Sequence, residues 1–173
     1  MKTIVTFLFA FLSLTITAQS LNVQTFRKLL YDSYANESVA RKFHKETRFI
    51  TNTHAPILQG FKSMSEFMLC AHLSAPWEQL SLFYKGKNQL EAAIKSDPHN
   101  AELRYFRFIT QTNVPSILGY KSDIESDKIV LIAFLKANSG RLERDNDLFI
   151  RVKEYLLQTS SCNENEKKLI RNL

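Results

Sequence analysis

The sequence predicts an all-α fold, with about eight helices arranged as antiparallel pairs and stacked into a superhelix or bundle. Three observations carry that prediction. Apolar residues recur at intervals of three and four along most of the chain, which places them on one face of a helix. Only 4 Gly and 4 Pro occur in 173 residues, too few for a turn-dense β-sandwich or a Gly-rich phosphate cradle. The apolar segments are also bounded by residues that start or stop helices.

Residues 1–20, MKTIVTFLFAFLSLTITAQS, read as a secretory signal. Lys2 supplies the positive start, and a largely apolar run of 13 residues from Ile4 to Ile16 follows. Spanning a membrane takes about 20 apolar residues, so this run is short for an anchor. Cleavage is expected after Ala18 or after Ser20, leaving residues 21–173 as one exported domain, periplasmic or extracellular. No second stretch approaches the length of a membrane span. The full chain carries 23 basic and 17 acidic residues, a net charge of +6. Loss of Lys2 leaves +5, which permits attraction to an anionic surface but does not indicate nucleic acid.

Ser20 is the expected cap of a first helix with Phe26, Leu29, Leu30 and Tyr34 inward. The second is expected from Ser38 to Thr51, with Val39, Phe43 and Ile50 inward. Pro56 suits the first turn of the third, where its missing N–H costs nothing. That helix has an apolar stripe, Ile57, Phe61, Met64, Met68 and Ala71, and beside Phe67 a stripe of small residues, Gly60, Ser63, Cys70 and Ser74. Two such faces predict packing on both sides. Pro76 opens the fourth, with Trp77, Leu80, Phe83, Leu90 and Ile94 as its apolar face. Asn100 caps the fifth, with Leu103, Phe106 and Ile109 inward, and Asn113-Val114-Pro115 ends it.

The run Ile129 to Leu135, IVLIAFL, suits a buried strand or a helix. Ser126 before it and Asn138-Ser139-Gly140 after it are helix boundary signals, so it is read as the sixth helix. The seventh, Asp145 to Gln158, turns Leu148, Val152 and Tyr155 inward. Ser161 and Glu164 have capping-box spacing before a short last helix with Leu169 and Ile170.

One stretch has a repeat rhythm. With Pro98 as a terminal proline, Leu73, Trp77, Phe83, Gly86, Leu90, Ala93 and Ile94 occupy seven positions of a tetratricopeptide unit. That stretch resembles the tetratricopeptide repeat, although Cys70, Ser74 and Pro76 depart from its pattern. The mature chain also resembles a family of exported, uncharacterised proteins of Gram-negative bacteria through HAPILQGFKSM (54–64), AAIKSDPHNAELRYFRFITQTNVPSILGYKSDIESDK (92–128) and SSCNENEKKLI (160–170). The resemblance implies a helical, tetratricopeptide-like domain outside the cytoplasm and brings no activity with it.

No residue pattern predicts a catalytic centre, a metal site or a cofactor. His44, His54, His72 and His99 lack the HExxH spacing or any comparable one. Cys70 and His72 lie two apart on one helix and so face about 200° apart, unable to share a metal. Asp123, Glu125 and Asp127 alternate like a calcium loop, but Lys128 and Phe134 stand where Gly and Glu belong. They are read instead as negative charge complementing a helix N-terminus. Cys70 is expected as a buried free thiol, with a Cys70–Cys162 disulfide as the alternative in an oxidising compartment.

Two candidate contact surfaces remain. Arg41, Lys42, Lys45 and Arg48, with His44, make a basic face on the second helix. It is either a solvated face or a patch for anionic lipid, polysaccharide or an acidic partner. The loop from Gln111 to Ser122 is either a specific turn or, with Arg104, Tyr105, Asn113 and Tyr120, the wall of a groove. The expected function is therefore a non-enzymatic module that binds an envelope protein or peptide. The alternative is a carrier of a hydrophobic small molecule or lipid, suggested by 13 Phe and 6 Tyr.

Overall fold

The computed structural model describes residues 22–140 and 146–173. The expected signal, residues 1–20, lies outside them, as do Ser20 as a cap and Asp145 at a helix start. The described residues form eight α-helices: α1 (Val23–Ser33), α2 (Glu37–Thr47), α3 (Pro56–His72), α4 (Pro76–Ser96), α5 (Ala101–Asn113), α6 (Ile124–Asn138), α7 (Asn146–Gln158) and α8 (Glu164–Arg171). A single 3-10 turn, Ser116–Leu118, follows α5.

The predicted starts hold at three helices. Pro56 and Pro76 each occupy the first turn of their helix, and Asn100 Oδ1 accepts the N–H groups of Glu102 and Leu103. Elsewhere the cap is an asparagine two residues from the serine expected at the helix start. Asn22 caps α1 and Asn36 caps α2. The capping box of α8 joins Asn163 and Glu166 rather than Ser161 and Glu164. Asparagine is an equally good acceptor, and the extended backbone at each of these positions aims its side chain at the orphan N–H groups. IVLIAFL is helical, but its faces are unequal: Leu131 and Leu135 are fully buried whereas Ile129 points to solvent.

Each helix packs on its chain neighbour, so α1/α2, α3/α4, α5/α6 and α7/α8 form the four expected pairs. α1 and α5 also contact α3, giving α3 four helical neighbours and explaining its two packing faces. The small stripe lets neighbours approach closely, Gly60 beneath Leu103 of α5 and Ser63 beside Gly86 of α4. A Cβ on Gly86 of α4 would stand 3.0 Å from the Phe67 ring and 3.1 Å from the Ser63 carbonyl oxygen. Ser63 Oγ donates to the Gly86 carbonyl at 2.6 Å, so α3 and α4 touch backbone to side chain.

The repeat-like stretch 70–98 is not a two-helix unit. Pro76–Ser96 is one continuous helix, while Cys70 and His72 end the helix before it. The small-residue logic of the match survives in Gly86, but the partner of α4 is the whole of α3.

Aromatic rings fill the interior. Phe61 of α3 lies 5.9 Å from Phe26 of α1 and 5.0 Å from Phe106 of α5. Phe43 of α2 joins Phe26 at 6.2 Å. Phe83 of α4 bridges Phe67 and Tyr120, and Tyr155 of α7 meets Tyr105 and Phe108 of α5. Several apolar residues expected inward are not. Tyr34 follows the end of α1 and is exposed, as are Trp77 and Leu80. Ile50, expected as the last turn of α2, lies beyond its end yet is fully buried.

Candidate functional site

The four loop-associated candidates separate into two assemblies. Arg104 and Tyr120 belong to an ionic network centred on Asp127, which is fully buried near the start of α6. Arg107 grips Asp127 with two bonds, Nε to Oδ2 at 2.7 Å and Nη2 to Oδ1 at 2.8 Å. Arg104 Nη1 adds a third at 2.8 Å, and its Nε donates to the Pro98 carbonyl. The remaining arm of Arg107 reaches Glu91 of α4 at 2.8 Å and Asp123 at 3.4 Å. Tyr120 donates to the other oxygen of Glu91 at 2.6 Å, and the Lys87 ammonium lies 5.0 Å above its ring.

The network locks the loop after α5 onto α4, and its protonation follows from its geometry. Burial pulls the Arg107 guanidinium down, but Asp127, Glu91 and Asp123 outweigh it and hold the group above its ordinary value. Burial and the bond to Glu91 push the Tyr120 hydroxyl far up, so it stays a neutral donor. Asp123 is held below the usual carboxylate range: bonds from Ser122 and Gln111 and the nearby arginines prevail over burial. The acidic residues read as charge at a helix start thus include one, Asp127, that clamps α5 to α6.

Tyr105 and Asn113 meet around Tyr155. The Tyr105 ring is buried against it at 6.0 Å, and Asn113 Nδ2 donates to its hydroxyl at 2.6 Å. Tyr105 and Tyr120 are both buried, so they line no open groove. Pro115 and Gly119 bracket the 3-10 turn, with Gly119 at φ 59°, the left-handed closing position the turn reading anticipates.

A second buried charge escaped sequence reasoning. Glu66 of α3 is bound by His44 Nε2 of α2 at 2.9 Å and by Lys85 Nζ of α4 at 2.6 Å. Burial alone would raise its pKa, yet the two hydrogen bonds hold the carboxyl below its ordinary value. The trio has a carboxylate and an imidazole, but among the described residues no hydroxyl or thiol bonds to the His44 ring, whose Nε2 is taken by Glu66. Arg27 and Glu102 form a further buried pair between α1 and α5, joined by two bonds of 2.6 and 2.7 Å.

Cys70 and Cys162 are both free thiols, which sets aside the disulfide. Cys70 is half-buried and donates to the Gln79 carbonyl, and burial pushes both thiols up and away from reactivity. His54 accepts the Thr51 N–H at a loop, and His72 donates to the Ser33 carbonyl. Among the described residues no group of three His, Cys, Asp or Glu side chains could hold a metal, and no helix is long and apolar enough to cross a membrane.

Three surface features are left. Arg41, Lys42, Lys45 and Arg48 all face solvent on α2. A cleft of about 270 Å³ lies between the turn after α2 and α4, lined by Ile50, Gln59, Lys62, Asn88, Gln89 and Ala92. Gln89 Oε1 is buried there without a hydrogen bond. Finally, Trp77, Leu80 and Tyr84 stand exposed along α4 at 74%, 44% and 44%. Their i, i+3, i+7 spacing puts them on one face, offset from Phe83, Leu90 and Ile94. Resolving the α4 pattern into two stripes rather than one would have separated them in the sequence. No protein family, curated protein or solved structure matches the chain.

Proposed function

We propose that the protein is an exported, all-helical binding module that docks another envelope protein or a peptide on the outer face of α4. The observation that carries this reading is the exposed stripe of Trp77, Leu80 and Tyr84. Isolated exposed apolar residues are ordinary, but Trp77 and Tyr84 aligned on a rigid helix are the residue types that anchor protein contacts. The stripe is firmly backed: Phe83 and Gly86 of the same helix are buried against α3, and Tyr84 packs edge-on to Phe83 at 5.5 Å. The mature chain acts outside the cytoplasm, where its N-terminal signal would send it, and performs no chemistry. The carrier reading lacks a matching observation, because the aromatic residues that suggested it pack largely on one another.

The test compares wild type with Trp77→Ala/Tyr84→Ala in affinity capture from cell-envelope extract, read by quantitative mass spectrometry. Both side chains are exposed, so circular dichroism should report an unchanged fold. Proteins enriched by the wild type and lost with the variant support the reading. An identical set from both, or no enrichment, removes it.

A further inference from the structure

We propose that the outward face of α2 is a second contact surface, one that seats the protein on an anionic phospholipid membrane. α2 turns Ala40, Phe43 and Thr47 fully inward, which fixes Arg41, Lys42, Lys45 and Arg48 on the opposite side. Glu37, paired with Arg41 at 2.7 Å, and the half-buried Glu46, one turn on from Lys42, are the acids of α2. Lys42 and Lys45 take no ion-pair partner among the described residues, and the face keeps a net positive charge.

Charge alone would suit any polyanion; the aromatic residues decide the occupant. Exposed rings stand at both ends of the basic face, Tyr34 before α2 at 81% and Phe49 after it at 68%. The Arg48 guanidinium lies 4.4 Å above the Phe49 ring. Phe49 is also held in place from both sides. Ile50 beside it is fully buried, and Lys62 Nζ donates to the carbonyls of Arg48 and Ile50, the residues flanking the ring. The chain thus builds a rigid turn whose apolar ring points outward at the edge of a cationic face. Rings that enter the headgroup layer while lysines and arginines stay at the phosphates are the pattern of a peripheral membrane contact. A soluble polysaccharide would use the cations and leave Phe49 in water.

The test is sedimentation of purified protein, its N-terminus verified by mass and identical among variants, with vesicles of phosphatidylcholine containing about 30% phosphatidylglycerol. Pure phosphatidylcholine vesicles are the comparison. Wild type should bind the anionic vesicles alone and lose binding as salt rises, because the contact is screened. Each basic residue at such a surface is worth about fivefold in partition, so Lys42→Glu/Lys45→Glu should lower binding by about 100-fold or more. Phe49→Ala should lower it by about tenfold through lost apolar transfer. Lys121→Glu/Lys136→Glu, at exposed positions on other elements, should leave most of it intact.

No binding to anionic vesicles at low salt overturns the proposal. So does an equal loss in the Lys121/Lys136 variant, which would mean bulk charge only. Full binding by Phe49→Ala, with equal affinity for soluble dextran sulfate, also overturns it in favour of a polysaccharide. The alanine pair Lys42→Ala/Lys45→Ala keeps the test decisive if charge reversal disturbs the fold.

Discussion

Replacing Asp127 with asparagine isolates the charge of the central clamp while keeping its shape. The carboxylate has no exposure and holds two arginines through three bonds of 2.7 to 2.8 Å. Removing one member of a buried ion pair costs about 3–5 kcal/mol, because the remaining charge loses its compensation. Here Arg107 keeps Glu91 at 2.8 Å and Asp123 at 3.4 Å, and asparagine retains one acceptor oxygen. The expected loss therefore lies at the lower end, about 3 kcal/mol. In a domain of about 150 residues, 1 kcal/mol moves the melting temperature by about 2–4 °C, so Asp127→Asn should melt about 6–12 °C lower. Urea and thermal unfolding followed by circular dichroism measure it directly. Asp32→Asn serves as the control, because Asp32 and Lys28 form an exposed i,i+4 pair and should contribute no more than about 0.5 kcal/mol. A loss in Asp127→Asn below about 1 kcal/mol would refute the reasoning, since the network would then be ornamental to folding.

Two further outcomes follow from the same packing. The Glu66 carboxyl titrates below its ordinary value in the fold, so its contribution is complete above the unfolded value of about 4.3 and is lost as pH falls through the folded one. Urea unfolding across pH 7 to pH 3 should show an acid decline that is shallower in Glu66→Gln; identical slopes would rule out Glu66 as a source of it. Gly86→Ala gains about 1 kcal/mol of helix propensity but forces a methyl against Phe67 and the Ser63 carbonyl oxygen, an overpacking cost of about 1–3 kcal/mol. The variant should unfold at lower urea than wild type, and a more stable protein would show that α3 and α4 have room to part.

Local features of the fold were legible because they depend on neighbours in the chain. Pro56, Pro76 and Asn100 mark helix starts through their own backbone chemistry, and the 3–4 spacing of Phe61 with Met64, or Leu103 with Phe106, reports a buried face. The choice of Asn22 over Ser20 as a cap was not legible, since both side chains can do the job and the backbone angle decides. Trp77 was misassigned because the apolar residues of α4 fall into two offset stripes that a single helical face merges, and only the stripe of Phe83, Leu90 and Ile94 is buried. The charged interior was hidden for a different reason. Arg27 meets Glu102 across 75 positions, and Glu66 meets His44 across 22. No local spacing records such pairs. Arg104 and Tyr120 were noticed as unusual residues near a loop, but what makes them unusual is their share in the Asp127 network.

The Arg27–Glu102 clasp also bears on how the chain is born. α1 lies at the start of the domain, yet the carboxylate that receives its buried arginine is added only when α5 is made. Neighbouring helices can pair as they emerge, because contacts close in sequence form quickly and at small entropic cost. α1 cannot settle into its final seat on that schedule. Its docking is completed only once residue 102 is made, after α2 and α3 have closed on its other side. The first of the described helices thus keeps one contact open until the fifth has been made.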